Sequence, residues 1–290
     1  MDNFVIKSLL LDGNRDFFIK TLTRQWRDFM KKRILTGAIL GTLLLTSGAF
    51  AGTLKVGASP VPHAEILNFV KEDLKKEGVD LQVIEFTDFV TPNEALISKE
   101  LDANYFQHIP HLQLIVQKEQ GADLRASVKV HVEPLGLYSK KLKDLSELKD
   151  NSLIAIPSDS TNEGRALILL HNKGIIKLAD STNLLATPFD IVENPKKLQF
   201  KELDAAFLPR TLDTVDAAII TGNYALQAGY KPSEDALLLE GKESPYVNVL
   251  AVRGDNENSE DIKKLGKALT SDKVKKYILD SYDGAVVPAF

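Results

Sequence analysis

The stretch NYFQHIPHL, residues 104–112, sets two histidines three apart beside aromatic residues and across a proline. Such a pair supports three chemistries. His108 and His111, joined by His63 or His131 and a carboxylate, would suit zinc. Neutral imidazoles beside Phe106 would equally wall a soft, polarisable thioether. The third reading buries Phe106 in the core and leaves both rings in solvent. A His-x-x-His pair before a helix leaves all three open.

Two further stretches could hold the charged end of a small molecule. In PSDSTNEGRALILL (157–170) a strand delivers the chain to a run of residues that favour helix N-caps. The free N–H groups of that helix end attract an anion. Arg165 stands in the opening turns, beside Gly164, and a guanidinium there can grip a carboxylate with two charge-assisted bonds. The plain alternative is a surface arginine paired with Glu163 or a nearby aspartate. In DAAIITGNYALQAG (216–229) an apolar strand ends on Gly222 and Asn223. The Asn223 amide could offer oxygen to an ammonium and NH₂ to a carboxylate, or simply cap the following helix. No GxSxG, HExxH, P-loop or dinucleotide fingerprint occurs, so the chain does not read as an enzyme.

These residues must be positioned by the elements around them. LKVGAS (54–59), LQVIEF (81–86) and LDANYF (101–106) read as strands, with helical patterns at HAEILNFVKEDLKKEG, PNEALISKE and HLQLIVQKEQG between and after them. A β-rich stretch at 127–140 breaks the rhythm, and a second alternation follows: SLIAIP, NEGRALILLHNKG, LQFKEL and DAAIIT. SPYVNVLAVRG (244–254) is extended again, and two helices, EDIKKLGKAL and DKVKKYIL, close the chain. Strand-helix alternation implies α/β lobes with parallel sheets under helices. Two lobes joined by two extended crossings fit this order: residues 52–134, then 135–243, then 244–290 returning to the first lobe. Ligands of such sheets bind beyond the carboxyl ends of strands, and interlobe clefts are favoured pockets.

The N-terminus carries a separate signal. From Met30, MKKR is followed by an apolar run, Ile34 to Leu45, and by Ala49-Phe50-Ala51. That is a secretory signal peptide over 30–51, cut after Ala51, too short and glycine-broken for a membrane span. Residues 1–29 then read as an upstream extension, the alternative being an uncleaved anchor helix. The segment through Ala51 holds eight Lys/Arg and four Asp/Glu, so the rest carries 28 basic and 36 acidic residues, a net charge of −8. An acidic surface argues against nucleic acid. The chain has no cysteine, which excludes disulfides and thiol chemistry and leads to the expectation of a periplasmic protein without lipid.

The ordered motifs resemble the methionine-binding proteins of ABC importers, the NlpA/MetQ group. The resemblance runs over the chain after the signal, through FTDFVTPNEAL (86–96), LDANYFQHIPHL (101–112), GLYSKKLKDLSELKD (136–150), IPSDSTNEGRALILL (156–170), VENPKKL (192–198), ELDAAFLPRTLD (202–213) and KESPYVN (242–248). It implies a two-lobed periplasmic binding protein, type 2 like, that closes on its ligand. It places the family's aromatic wall on Phe89, Phe106, His108 and His111, the carboxylate-holding arginine on Arg165 with Asn162 beside it, and the head-orienting asparagine on Asn223. The chain departs from the family where His111 replaces a common tyrosine, where Phe89 replaces an aromatic bearing a hydroxyl, and where Ala51-Gly52 replaces the lipid-bearing cysteine. The resemblance implies a monomeric receptor without cofactor. It would take L-methionine, a related amino acid or a methionine-containing dipeptide to a permease and ATPase at the inner membrane. A zinc receptor using His108 and His111, or a surface or adhesion protein keeping only the fold, are the alternatives.

Overall fold

The computed structural model describes residues 52–241 and 244–290, so the readings of an upstream extension and a signal peptide lie outside the described residues. The chain opens with β1 (Thr53–Ala58), α1 (Glu65–Lys76), β2 (Asp80–Glu85), α2 (Thr91–Ile97), β3 (Ala103–His108) and α3 (Ile109–Lys118). In α1, Ile66, Leu67, Val70 and Leu74 repeat at three and four and form its buried face. The chain leaves α1 through Gly78 at φ +83°, a left-handed turn that a side chain would strain.

Strands β4 (Leu124–Val132), β5 (Gly136–Tyr138) and β6 (Leu153–Pro157) lead into α4 (Ser160–Asn172). A short ribbon, β7 (Lys177–Leu178) with β8 (Ile191–Glu193), precedes β9 (Gln199–Leu203), β10 (Ala217–Ile220) and α5 (Gly222–Gln227). The chain returns through β11 (Leu238–Leu239) and β12 (Val247–Arg253) and finishes with α6 (Glu260–Leu269), α7 (Asp272–Ser281) and β13 (Val287–Pro288).

Two mixed sheets result, ordered β13-β4-β12-β3-β1-β2 and β11-β5-β10-β6-β9. Each keeps a parallel trio, β2-β1-β3 in one and β9-β6-β10 in the other. The antiparallel members are β4 and β12 in the first sheet and β5 and β11 in the second, with β13 on the edge. They flank the two crossings, where the chain changes sheet with no helix between strands among the described residues. Alternation of strands and helices reveals the parallel trios and is silent about these additions. Both faces of each sheet are covered. Leu250 and Val252 of β12 enter one core while Val249 and Ala251 enter another, and Ile154 and Ile156 of β6 oppose Ala155 in the same way. That double burial is why these strands read as near-continuous apolar runs. Among the described residues no helix is long and apolar enough to cross a membrane.

The carboxyl ends of β3, β6 and β10 open toward one cleft, with about 370 Å³ of space free of protein atoms, part of it open to solvent. Phe89, Phe106, His108, His111, Asn162, Arg165 and Asn223 all line it.

Candidate functional site

Local chemistry builds the apolar wall. His108 ends β3 and caps α3: its Nδ1 accepts the His111 main-chain N–H at 3.2 Å. Since Nδ1 accepts, Nε2 carries the proton and donates to Asn162 Oδ1 at 3.1 Å. His111 Nε2 lies 3.3 Å from the Phe89 carbonyl, to which it donates, and Nδ1 lies 3.4 Å from Thr161 Oγ1. Burial lowers the pKa of both rings, most strongly for His108, where the Arg165 charge adds to the effect. Both stand neutral at physiological pH. Phe89 and Phe106 lie 6.1 Å apart, centroid to centroid, and Phe106 meets His111 edge-on at 6.1 Å. Behind the wall, the amides of Asn93, Asn104 and Gln107 bond one another at 2.7–3.0 Å and tie the end of β3 to α2. The wall is therefore rigid from behind as well as from the cap.

The rings of His108 and His111 are perpendicular and 6.0 Å apart, and each ring nitrogen faces a separate protein group. They are not arranged to converge on an ion.

The charged end is built differently from its sequence reading. The N-terminus of α4 is occupied by its own cap: Asp159 accepts from the Asn162 main-chain N–H at 3.0 Å and from the Asn162 side-chain amide at 3.0 and 3.2 Å. This helix end is thus no free anion seat. Gly164 does not make room for Arg165 either. A Cβ there would come within 2.3 Å of the Leu184 carbonyl oxygen, so the glycine admits a neighbouring loop. Arg165 is 3 % exposed, and its partner is Glu240 rather than Glu163. Its Nε donates to the two Glu240 oxygens at 3.1 and 3.2 Å, and Nη2 donates to Glu240 and to the Glu133 carbonyl at 2.7 Å. The guanidinium also stacks on Tyr246, 4.4 Å from the ring centroid. Nη1 has no protein acceptor among the described residues and is the edge left for a ligand.

Asn223 is not the cap of α5, a place taken by Thr221. Its Oδ1 accepts from the Thr221 hydroxyl at 2.8 Å, while Nδ2, buried, has no partner among the described residues. A buried orphan donor costs about 1–3 kcal/mol until it finds an acceptor.

Beside these donors sits Glu133, on the crossing from β4 to β5 and 5 % exposed. Its Oε1 accepts from His131 Nε2 at 2.7 Å, and His63 Nε2 lies 3.1 Å from the same oxygen. The Asn223 main-chain N–H favours the ionised carboxylate, and a Cβ at Gly222 would come within 2.8 Å of Glu133 Cβ. Tyr105 bonds His131 Nδ1 from behind, and His63 Nε2 also lies 3.1 Å from Asn248 Oδ1. Burial pushes the Glu133 carboxyl up, opposed by His63, Arg165 and the Asn223 N–H. Burial drives His63 down to about 4 and His131 down to about 3. Both rings are therefore neutral donors at physiological pH. The three metal-ligand types that do gather, His63, His131 and Glu133, lie within 4.8 Å of one another, but His131 Nε2 is already bonded to Glu133 Oε1 and His63 Nε2 to Asn248 Oδ1.

A family model for the NlpA lipoprotein matches residues 54–290. The chain belongs to the NlpA lipoprotein family. It is similar to the D-methionine-binding lipoprotein MetQ of Escherichia coli, 42 % identical over 260 residues that cover 87 % of this chain and 95 % of that one. Among solved structures it is similar to a nutrient-binding protein from Burkholderia cenocepacia bound to methionine, with 45 % identity, TM-score 0.79, and 82 % of this chain and all of that one covered. Lipoprotein Tp32 of Treponema pallidum gives 40 % identity and TM-score 0.78 over 82 % of this chain and 99 % of its own. Two-lobed binding proteins thus supply the fold, as the motifs imply.

Family membership corrects one expectation. NlpA proteins are lipoproteins, and the E. coli relative carries that word in its name, so the expectation of a periplasmic protein without lipid is overturned.

Of the residues that complete this NlpA cleft, Glu133, Glu240, Tyr246 and Asn248 escape a reading by strand ends, because they lie on or beside the crossings. One signal was available. In VHVEP (130–134) an acidic residue follows an alternating apolar strand with no basic neighbour to pair it. A carboxylate in that setting is buried only with partners.

Proposed function

We propose that this protein is the substrate-binding component of an ABC importer and takes methionine as a zwitterion in the cleft between its two sheets. The observation that carries this reading is that groups of opposite charge line one apolar-walled cleft. Glu133 offers a buried negative group, while Arg165 Nη1 and the orphan Asn223 Nδ2 offer donors to a carboxylate. Phe89, Phe106, His108 and His111 are neutral and polarisable, which suits a thioether side chain. The methionine-bound relative at 45 % identity supports the same class of ligand. Closing the cleft would exclude water and strengthen each polar contact. The act is recognition and delivery to a permease and ATPase, with no bond made or broken. A zinc receptor is disfavoured because His108 and His111 face separate partners, and a fold-only surface protein because the cleft keeps its donors.

Native mass spectrometry of gently purified protein, followed by calorimetric titration with L- and D-methionine, tests this. Retained or titratable methionine of either hand is the expected result. Failure of both isomers and of a methionine-containing dipeptide to bind would remove the proposal.

A further inference from the structure

We propose that His131 and His63, with Tyr105 behind them, are positioning residues that hold Glu133 as the cation-recognising group of the cleft, so that a protonated α-amino group becomes a binding requirement. This rests on the methionine reading and adds a selectivity to it. His63 and His131 are 1 % and 0 % exposed, so neither ring reaches the ligand, and both act through the carboxylate between them. An ionised carboxylate only accepts hydrogen bonds, so His131 Nε2 carries a proton aimed at Oε1, while His63 Nε2 lies 3.1 Å from that oxygen and bonds Asn248 Oδ1. His131 Nδ1 is then the acceptor for the Tyr105 hydroxyl, which locks the ring plane.

The surroundings of Glu133 define what the site lacks. From β4 comes His131, from the turn after β1 His63, and from the start of α5 the Asn223 N–H. From α4 comes Arg165, bonded to the Glu133 carbonyl and already paired with Glu240, and from β12 comes Asn248, bonded to His63. The His131 bond, the nearby His63 ring and the Asn223 N–H favour the ionised carboxylate, while none of them carries a full positive charge. A burial this deep without a paired cation is costly. The ligand ammonium is the charge that completes it, entering from the cleft side that Glu133 and Asn248 line.

The test compares methionine with its des-amino analogue, 4-(methylsulfanyl)butanoate, by calorimetry in the full chain. Wild type is expected to prefer the amino acid by about a hundredfold or more, in line with truncating one partner of a buried charge pair. Glu133→Gln and His131→Leu should each cut that preference at least tenfold, by weakening the amino acid and not the analogue. His131→Gln, which keeps one donor and one acceptor, should restore it to within about threefold of wild type. Equal weakening of both ligands in a folded His131→Leu protein would mean the ring is only structural, and the proposal falls. Should that variant not fold, Tyr105→Phe decides, with a preference reduced about threefold expected and an unchanged one overturning the idea. A wild type that binds methionine without preferring it to the analogue defeats this inference alone. A wild type that binds neither defeats the methionine reading as well.

Discussion

The two ends of the cleft are made in opposite ways. The aromatic-imidazole wall takes three of its four rings from one strand end and the helix it feeds, Phe106, His108 and His111, and His108 fixes His111 through a cap. The charged end assembles groups that are distant in sequence. Arg165 meets Glu240 across 75 residues and Glu133 across 32, and His63 reaches Asn248 across 185. The difference follows from the cost of burial. Neutral rings need only shape and one hydrogen bond each, which a local turn can supply. A buried ion needs several partners at once, and no single element can present them all.

Breaking the charged end should therefore have the largest effect. Arg165→Ala is expected to weaken methionine binding roughly thirty- to several-thousand-fold, since a buried charge contact is worth about 2–5 kcal/mol when truncated. Unlike a surface arginine, it should also destabilise the fold, by about 3–5 kcal/mol, because Glu240 is left without its partner. Adding Glu240→Gln should recover most of the stability and none of the binding. Calorimetry paired with urea unfolding checks both halves, and a stable Arg165→Ala protein that binds normally would dissolve the contrast between the two ends.

Acid should act next, and mainly on the charged end. His63 and His131 titrate near 4 and 3 in the fold against 6.5 in an unfolded chain. Between those values the unfolded state binds more protons, so the stability they contribute is complete above pH 6.5 and lost as pH falls toward 4. His108 and His111 act in the same direction, while Glu133, raised by burial, partly offsets them. Unfolding free energy is expected to drop by about 2–4 kcal/mol from pH 7 to pH 5. His131→Gln should flatten that slope. A level profile in wild type would show that these rings are not held neutral.

The wall should respond least. Phe89→Ala removes one half-buried ring, and a loss of about three- to tenfold in affinity is expected, with the pH profile of stability unchanged. His111→Tyr, which restores a hydroxyl at that position, should shift affinity by less than about threefold in titration. A wall variant that cost as much as Arg165→Ala would mean that side-chain burial, and not charge pairing, dominates recognition.

The sequence by itself determined the parallel trios and the helices over them, because each rests on a local period and a local stop such as Gly78. The seven residues singled out by strand ends, helix starts and the family resemblance all line the cleft. The sequence misassigned what surrounds them: the α4 terminus is filled by Asp159, and Gly164 serves a loop. Only the tertiary structure decided the antiparallel strands, the Arg165–Glu240 pair and the His63–His131–Glu133 cluster. Hydrophobic period and capping act over a few residues and leave a mark in the chain. Charge compensation acts over a few ångströms of space, and the chain records nothing of which distant residue will arrive there.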